Sequence, residues 1–200
     1  MVGKAWTPEA LFNEILKDKD FYSDSGGGIT LSGGEPLLHA DYLERFLPLV
    51  HNDRIHVAIE TCGMFKWAEM EKIQRWIDLV YFDLKTIDKK MHVAFTGRGN
   101  GIILENFKKL SRGSVVLQTR MPVIPTLNDT RENIQDTILL LKENGFNSIY
   151  LVPYHSLGEA KLSRIKTELT PLRLPVKDHR YLEAIQKQFE KEGIDALVIE

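Results

Sequence analysis

The chain of 200 residues is 43% hydrophobic and 27% charged, which predicts an ordinary globular domain with a substantial core. Its net charge of -2 provides no basic field for nucleic acid or an anionic membrane, and no apolar run approaches the ~20 residues of a membrane span. The only cysteine, Cys62, excludes an internal disulfide framework and predicts a reducing, cytoplasmic location.

Helical and extended patterns alternate along the chain. Apolar spacings of three and four predict helices, and short runs rich in β-branched and aromatic residues predict strands. In order, they are a helix over 8–18, the strand GITLS at 28–32, a helix over 40–50, the strand HVAIE at 56–60, a helix over 67–77, the strands LVYFD at 79–83 and VVLQTRM at 115–121, a helix over 130–143, the strand SIYLVP at 148–153, a helix over 178–192 and the strand ALVIE at 196–200.

Capping residues support two of these helices. Thr7 is a good N-cap for the first helix, and Pro8 after it suits the first helical position. Either Asp129 or Thr130 can cap the helix over 130–143, and Gly145 ends it.

The strands are mostly continuous apolar runs, as expected of parallel strands that are covered on both faces. The alternation of strands and helices, without a linker, predicts one α/β domain over residues 1–200. Its sheet is either an open barrel or doubly wound. Only five or six strands can be counted, too few for a closed barrel of eight, so we expect a partial, open TIM-like barrel.

Polar groups follow each predicted strand. Because ligands of parallel α/β folds bind at the carboxyl ends of the strands, these groups are candidates for one site. After the first strand, glycine main chain can approach a ligand, and its carbonyl groups together with the Glu35 carboxylate suit a cationic amine. The alternatives are that Gly33 and Gly34 only form a tight turn, that Asp83 and Lys85 form an ion pair, and that His155 is structural.

The strand-end motifs SGGEP, ETCG, DLK, TRMPVIPTLND and LVPYHSLG occur in that order. In order and spacing they resemble the radical S-adenosylmethionine enzymes. Within that superfamily they are most similar to the glycyl-radical-enzyme activating enzymes, such as the pyruvate formate-lyase activating enzyme. The resemblance covers roughly residues 5–160. It implies a cytoplasmic, anaerobic oxidoreductase with S-adenosylmethionine and a [4Fe–4S] cluster as cofactors.

The resemblance also implies the cofactor-binding residues. The segment Ser32, Gly33, Gly34 and Glu35 would bind the amino group of the methionyl part. The segment of Glu60, Thr61 and Asp83 would lie near the cofactor carboxylate, where some members hold a monovalent cation, and the backbone of Tyr81 would line the same place. Lys85 and Arg120 resemble the basic groups that face the carboxylate or hydroxyls, and His155 resembles the histidine near the ribose and adenine.

The family's cluster is held by three cysteines, usually spaced C-x3-C-x2-C, and this sequence has no such motif. Cys62 belongs to the ETCG segment rather than to a cluster loop. The chain as given is therefore expected not to reduce the cofactor. We expect the natural protein to extend further at its N-terminus, where it would supply the first barrel strand and the cluster loop. The [4Fe–4S] cluster would then belong to the full-length protein only.

The implied activity is generation of a 5′-deoxyadenosyl radical that abstracts hydrogen from a glycine of a partner glycyl radical enzyme. Pyruvate formate-lyase and the diol or glycerol dehydratases are candidate partners, and flavodoxin or ferredoxin is the implied electron donor. One alternative is a cluster-less module that binds the cofactor or a protein. Another is a lyase with Lys85 as Schiff-base nucleophile.

Without its first strand, the barrel would expose the edge of the GITLS strand. Unpaired N–H and C=O groups at such an edge can pair with another chain. We therefore expect an artefactual dimer or aggregation through this strand, which sedimentation would detect. Residues after about 162 suggest no site.

Overall fold

The computed structural model describes residues 4–156 and 173–199. In this part of the chain, six strands alternate with eight α-helices. The strands are β1 (Gly28–Leu31), β2 (His56–Thr61), β3 (Leu79–Asp83), β4 (Val116–Val123), β5 (Ser148–Pro153) and β6 (Asp195–Val198). The helices are α1 (Pro8–Ile15), α2 (Lys19–Ser25), α3 (Ala40–Asn52), α4 (Trp67–Ile73), α5 (Lys89–Thr96), α6 (Gly101–Leu110), α7 (Arg131–Glu143) and α8 (His179–Lys191).

The strand order in the sheet is β1-β2-β3-β4-β5-β6, the same as the order along the chain. The pairs β1–β2, β2–β3, β4–β5 and β5–β6 are parallel. The predicted parallel α/β class is therefore confirmed. Every helix in the described ranges is too short or too polar to cross a bilayer.

The contacts divide the chain into two compact units. The first unit comprises Ala5–Asp83 and Gly99–Thr119, and the second contains Leu84–Arg98 and the described residues from Arg120 onward. A single domain over residues 1–200 stays a prediction.

The first unit contains β1, β2 and β3 in continuous parallel register. Gly28 lies opposite His56, and Thr61 lies opposite Phe82. Helix α3 buries its apolar face, which includes Phe46, in the core of this unit. The Phe82 ring packs edge-on against Phe107 of α6, with centroids 5.4 Å apart. These contacts fix the positions at which the first strands end.

The second unit contains β5 and β6, with Ser148 opposite Asp195. Arg120, in the second half of β4, lies opposite Tyr150. Helices α7 and α8 contribute buried apolar side chains, among them Ile134 and Phe189. The loop after β3 is attached here, because the Leu84 N–H donates to the Arg120 carbonyl at 2.8 Å.

All five predicted helices and all six predicted strands are present, although the boundaries differ by several residues in places. Thr7 caps α1 through the Ala10 N–H, as predicted. Thr130, rather than Asp129, caps α7 by accepting from the Asn133 N–H.

The prediction missed three helices, namely α2, α5 and α6. They have seven, eight and ten residues, which is short for a periodic pattern to be recognised. Helix α2 has no buried residue, and α5 has only His92, so an apolar stripe hardly exists. Helices α2 and α5 therefore depend on their surroundings more than on a pattern of their own. Helix α6 has an apolar stripe of Ile103, Phe107 and Leu110 and differs from them in this respect.

Candidate functional site

The loop after β1 contains two consecutive glycines with left-handed backbone. Gly33 has φ of 85° and Gly34 has φ of 59°, a region that residues with a Cβ rarely adopt. A Cβ at either position would meet no atom within 4 Å, so the dihedral angles, not crowding, require glycine. Ser32, Gly33 and Gly34 are all exposed. The glycines thus form a turn, and that turn leaves its main chain accessible to a ligand.

The Glu35 carboxylate joins this loop to the end of β2. Its Oε2 accepts from the Thr61 hydroxyl at 2.8 Å, from the Cys62 N–H at 3.1 Å and from the Cys62 thiol at 3.3 Å. Its Oε1 accepts from the Leu37 N–H at 3.4 Å, at the start of the 3-10 turn Pro36–His39. One side chain therefore fixes the carboxyl ends of two neighbouring strands relative to each other.

A second link joins the same two strands. The Ser32 hydroxyl donates to Oε2 of Glu60, which is half-buried near the end of β2. On the next strand, Tyr81 lies directly opposite Glu60, and Asp83 ends β3. Within the first unit, Glu60 thus contacts Ser32 through a hydrogen bond and lies beside Tyr81 on the neighbouring strand.

A buried amide supports the loop after β2. Asn106 of α6 donates from Nδ2 to the carbonyl groups of Gly63 and Phe65, at 2.9 and 2.8 Å. Thr61 accepts from the Gly63 N–H at 3.0 Å. Sequence reasoning missed Asn106. The available signal was its position among the apolar residues of GIILENFKKL, where an amide needs buried partners.

In the second unit, Asn128 supports the loops after β3 and β4. Its Nδ2 donates to the carbonyl groups of Lys85 and Pro122, at 2.7 and 2.6 Å, and its Oδ1 accepts from the Ile124 N–H at 2.7 Å. Asn133 extends this network by donating to the Asn128 carbonyl at 2.8 Å. Asn128 is 2% exposed, so this predicted strand-end group holds main chain together instead of facing solvent.

The remaining predicted residues also lie in the second unit. Lys85 is exposed just beyond β3, Arg120 is half-buried on β4, and His155 is exposed two residues after β5. Part of the LVPYHSLG motif, from residue 157, lies outside the described residues. An ion pair between Asp83 and Lys85 stays an alternative to their cofactor-binding roles.

Asp129 bonds to a helix that is distant in sequence. Its Oδ2 accepts from the Tyr181 hydroxyl of α8 at 2.6 Å. Burial, and then the hydrogen bond and charge of Asp129, raise the pKa of Tyr181 above its usual value. Asp129 therefore connects the loop after β4 to α8 and is not the cap of α7.

We expect Tyr181→Phe to lower the free energy of unfolding by ~1–2 kcal/mol near neutral pH, since it removes a hydrogen bond to a carboxylate. Because the pKa of Tyr181 is raised in the folded protein, its protonated hydroxyl stabilises the fold fully below pH ~10, the usual pKa of tyrosine in an unfolded chain. This stabilisation is lost as the pH rises further. The deficit of the variant should therefore shrink above pH ~10. Urea unfolding at pH 8 and pH 11 measures both effects. A deficit of equal size at the two pH values would contradict this assignment.

Comparisons with known proteins agree with this architecture. A family model described as Radical SAM superfamily matches residues 3–141. The trans-4-hydroxy-L-proline dehydratase activating enzyme of Clostridioides difficile is 34% identical over 201 residues, covering 99% of this chain and 67% of that protein. The 4-hydroxyphenylacetate decarboxylase activating enzyme of Clostridioides difficile strain 630 is 36% identical, covering 99% and 63%.

The pyruvate formate-lyase-activating enzyme of Clostridium pasteurianum is 34% identical over 167 residues, covering 83% of this chain and 70% of that protein. The chain thus spans about two thirds of the length of these curated relatives.

Among solved structures, a domain of pyruvate-formate lyase-activating enzyme from Bacteroides vulgatus is similar, with a TM-score of 0.71 and 24% identity. The match covers 87% of this chain and 99% of that domain. SuiB of Streptococcus suis bound to S-adenosylmethionine gives a TM-score of 0.69 at 16% identity, covering 98% and 44%. These likenesses support the partial-barrel fold. Together with the sequence relatives they show that the chain belongs to the radical SAM superfamily and, within it, to the glycyl-radical-enzyme activating enzymes.

Proposed function

We propose that this chain is the S-adenosylmethionine-binding part of an enzyme that activates a glycyl radical enzyme. The observation that carries the proposal is the exposed glycine turn after β1, joined through Glu35 to the end of β2. In such an enzyme, S-adenosylmethionine would be the source of the 5′-deoxyadenosyl radical that takes hydrogen from a glycine of the partner.

The residues of the first unit suit the methionyl part of the cofactor. An ammonium group needs hydrogen-bond acceptors, and the exposed main chain of Ser32, Gly33 and Gly34 can offer carbonyl groups. A negative charge, that of Glu35, lies beside the same turn. These features support the assignment of residues 32–35 to the amino group.

We further propose a monovalent cation beside the cofactor carboxylate, near Glu60, Thr61, Tyr81 and Asp83. Two acidic side chains close to a third carboxylate would repel it, and a cation removes that repulsion. The strand register supports the grouping, because Glu60 and Tyr81 are direct neighbours. The Thr61 hydroxyl donates to Glu35 and accepts from Gly63, which leaves it one lone pair for a cation.

In the second unit, Lys85, Arg120 and His155 are proposed to contact the cofactor, on the family resemblance. Lys85 and His155 are exposed just beyond the carboxyl ends of β3 and β5, and Arg120 lies in the second half of β4. The exposure of Lys85 argues against the Schiff-base alternative, since such lysines are normally desolvated in a pocket.

The residues present do not fit the [4Fe–4S] cluster. The sequence has one cysteine, and its thiol donates to Glu35. In residues 4–156 and 173–199, no three His, Cys, Asp or Glu side chains are grouped so that they could hold a metal ion. We propose that the cluster ligands come from outside this chain.

The proposed setting follows from the same family. A glycyl radical enzyme is the macromolecular partner, flavodoxin or ferredoxin is the reductant, and the location is the cytoplasm. A cluster-less binding module is the second candidate, favoured by the single cysteine.

We expect the chain to bind S-adenosylmethionine in calorimetric titration, and Gly34→Ala to weaken that binding by roughly tenfold, because a Cβ disfavours the left-handed turn. Gly193→Ala is a matched control: its φ is 77°, it also has no neighbour within 4 Å, and it follows α8. Absence of binding by the folded wild-type chain, or equal weakening by both variants, would contradict the proposal. With dithionite, the chain should form no 5′-deoxyadenosine, whereas formation would mean that it holds a cluster.

A further inference from the structure

The segment after β3 buries the residues on both sides of Lys85. Leu84 and Thr86 are 2% and 4% exposed, whereas Lys85 between them is exposed. The Leu84 side chain is buried because its removal from water is favourable, and the lysine ammonium stays outside because burial of an unpaired charge is costly. The packing of its two neighbours therefore presents the Lys85 side chain to solvent just beyond the end of β3.

Two buried asparagines hold the main chain of this segment. The Lys85 carbonyl accepts from Nδ2 of Asn128 at 2.7 Å, and the Ile87 N–H donates to Oδ1 of Asn133 at 2.9 Å. The two attachment points are two residues apart, so the path of the main chain is fixed at the lysine and just after it. We call Asn128 and Asn133 the asparagine pair.

The asparagine pair has little freedom to rearrange. Both residues are 2% exposed. Nδ2 of Asn128 also donates to the Pro122 carbonyl at 2.6 Å, and Nδ2 of Asn133 donates to the Asn128 carbonyl at 2.8 Å. Asn133 belongs to α7, so the pair connects the segment after β3 to a helix. A different arrangement would leave a buried amide or carbonyl group without a partner, which is unfavourable.

A lysine binds an anion better when its main chain is already fixed. The lysine side chain has many rotamers, and their loss on binding lowers the affinity. Main chain that also moved would add to that loss, whereas a held main chain leaves only the side chain to be ordered. Among the groups of S-adenosylmethionine the carboxylate is the only anion, so the Lys85 ammonium would form its strongest, charge-assisted hydrogen bond there.

We propose that Asn128 and Asn133 are positioning residues, and that the pair holds the main chain at Lys85 so that its ammonium meets the cofactor carboxylate. Neither asparagine contacts the cofactor itself. The inference rests on the proposed function, which assigns Lys85 to the cofactor. It adds the two residues through which the loop after β4 and helix α7 influence the affinity.

The test compares the binding of two compounds by calorimetry. They are S-adenosylmethionine and S-adenosylmethioninamine, its analogue without the carboxylate. Asn128→Asp keeps nearly the same size, but it replaces the two donated hydrogen bonds by an oxygen that faces two carbonyl groups. Its affinity for S-adenosylmethionine should fall by about tenfold, and that of Asn133→Ala, which keeps the contact of Asn128 with Lys85, by about threefold. The affinity of either variant for the analogue should change by less than about twofold, since the analogue has no carboxylate for Lys85 to bind.

A double-mutant cycle separates positioning from stability. Lys85→Ala should weaken S-adenosylmethionine binding by about tenfold, and adding Asn128→Asp to it should weaken binding by less than about twofold more, because no ammonium is left to position. Tyr181→Phe is the matched structural control, since it removes a hydrogen bond to Asp129, next to Asn128. It should leave the affinity for both compounds within about twofold of wild type.

Four results would overturn the proposal. If the asparagine pair is merely structural, Asn128→Asp will weaken the binding of both compounds in parallel. If the pair acts on a group other than Lys85, Asn128→Asp will keep its full effect in the Lys85→Ala background. If Tyr181→Phe weakens S-adenosylmethionine binding as much as Asn128→Asp does, a general loss of stability explains both. If Lys85→Ala binds S-adenosylmethionine as tightly as wild type, the ammonium does not meet the carboxylate.

Hydrogen exchange tests the asparagine pair even if S-adenosylmethionine does not bind, a result that would contradict the proposed function alone. Exchange of the Ile87 amide should be faster in Asn133→Ala and Asn128→Asp than in wild type or Tyr181→Phe. An unchanged rate at Ile87 in Asn133→Ala would show that the pair does not hold this segment.

Discussion

Substitution of Gly63 by alanine is expected to lower the free energy of unfolding by more than ~3 kcal/mol, through backbone strain and overpacking together. Gly63 has φ of 77°, and a Cβ there would lie 2.4 Å from Cζ of Phe82 and 3.1 Å from a methyl group of Ile103. The Phe82 ring is fully buried and packs against Phe107. Urea unfolding of the two proteins measures the difference.

Gly145→Ala separates the two causes. Gly145 has φ of 79°, almost the same as Gly63, but a Cβ there would meet no atom within 4 Å. Its substitution is expected to cost only the left-handed strain, ~1 kcal/mol. An equal loss in the two variants would mean that the contact with Phe82 contributes nothing. Because the Gly63 carbonyl accepts from Asn106, the Gly63 variant should also impair cofactor binding.

Gly28→Ala is expected to have an effect of similar size by a different route. The φ of Gly28 is not positive, but a Cβ would lie 2.0 Å from the carbonyl oxygen of His56 and within 3 Å of two further backbone atoms. A backbone neighbour in a paired strand cannot rotate away as a side chain can. We therefore expect a loss of more than ~3 kcal/mol, with separation of β1 from β2.

Gly101→Ala is the control for this substitution. Gly101 opens α6, and a Cβ there would meet nothing within 4 Å. Alanine is the better helix former, so this variant should be neutral or more stable by up to ~1 kcal/mol. Hydrogen exchange would localise the damage of Gly28→Ala to β1 and β2. Stability within ~0.5 kcal/mol of wild type for Gly28→Ala would show that β1 can shift without cost.

Gly28 and Gly63 are also expected to affect the proposed function. Gly28 sets how closely β1 approaches β2, and Gly63 sets the turn that Asn106 holds at the end of β2. Both therefore influence where Ser32–Glu35 and Glu60–Thr61 lie relative to each other. Their substitution should reduce S-adenosylmethionine affinity even though neither is proposed to contact the cofactor.

The sequence alone was sufficient for the order of the six strands and of five of the eight α-helices in the described residues. Apolar periodicity and β-branched runs are local properties, and they predicted all six strands and five helices. The consecutive glycines left two alternatives, main chain that approaches a ligand or only a tight turn, and both residues have the positive φ of a turn. The rule that ligands bind at the carboxyl ends of parallel strands pointed to the polar groups that follow each strand, and the family resemblance then implied their roles.

Other features depended on residues far apart in the chain. Thr130 and Asp129 were equivalent candidates for the cap of α7, and the choice follows from Tyr181, 52 positions away, which bonds to Asp129. Glu35 and Thr61 are 26 positions apart, and Asn106 and Gly63 are 43 apart. No local pattern specifies such partners.

The role of Glu35 illustrates the physical reason. From sequence, a carboxylate beside two glycines is a natural partner for a cationic ligand. The packing of β1 against β2, and of α6 over the β2 loop, brings donors to that carboxylate as well. Composition and periodicity therefore determined the fold class, because they depend on neighbouring residues. Tertiary packing alone decided which polar groups meet, because a buried hydrogen bond requires partners that only the folded chain brings within reach.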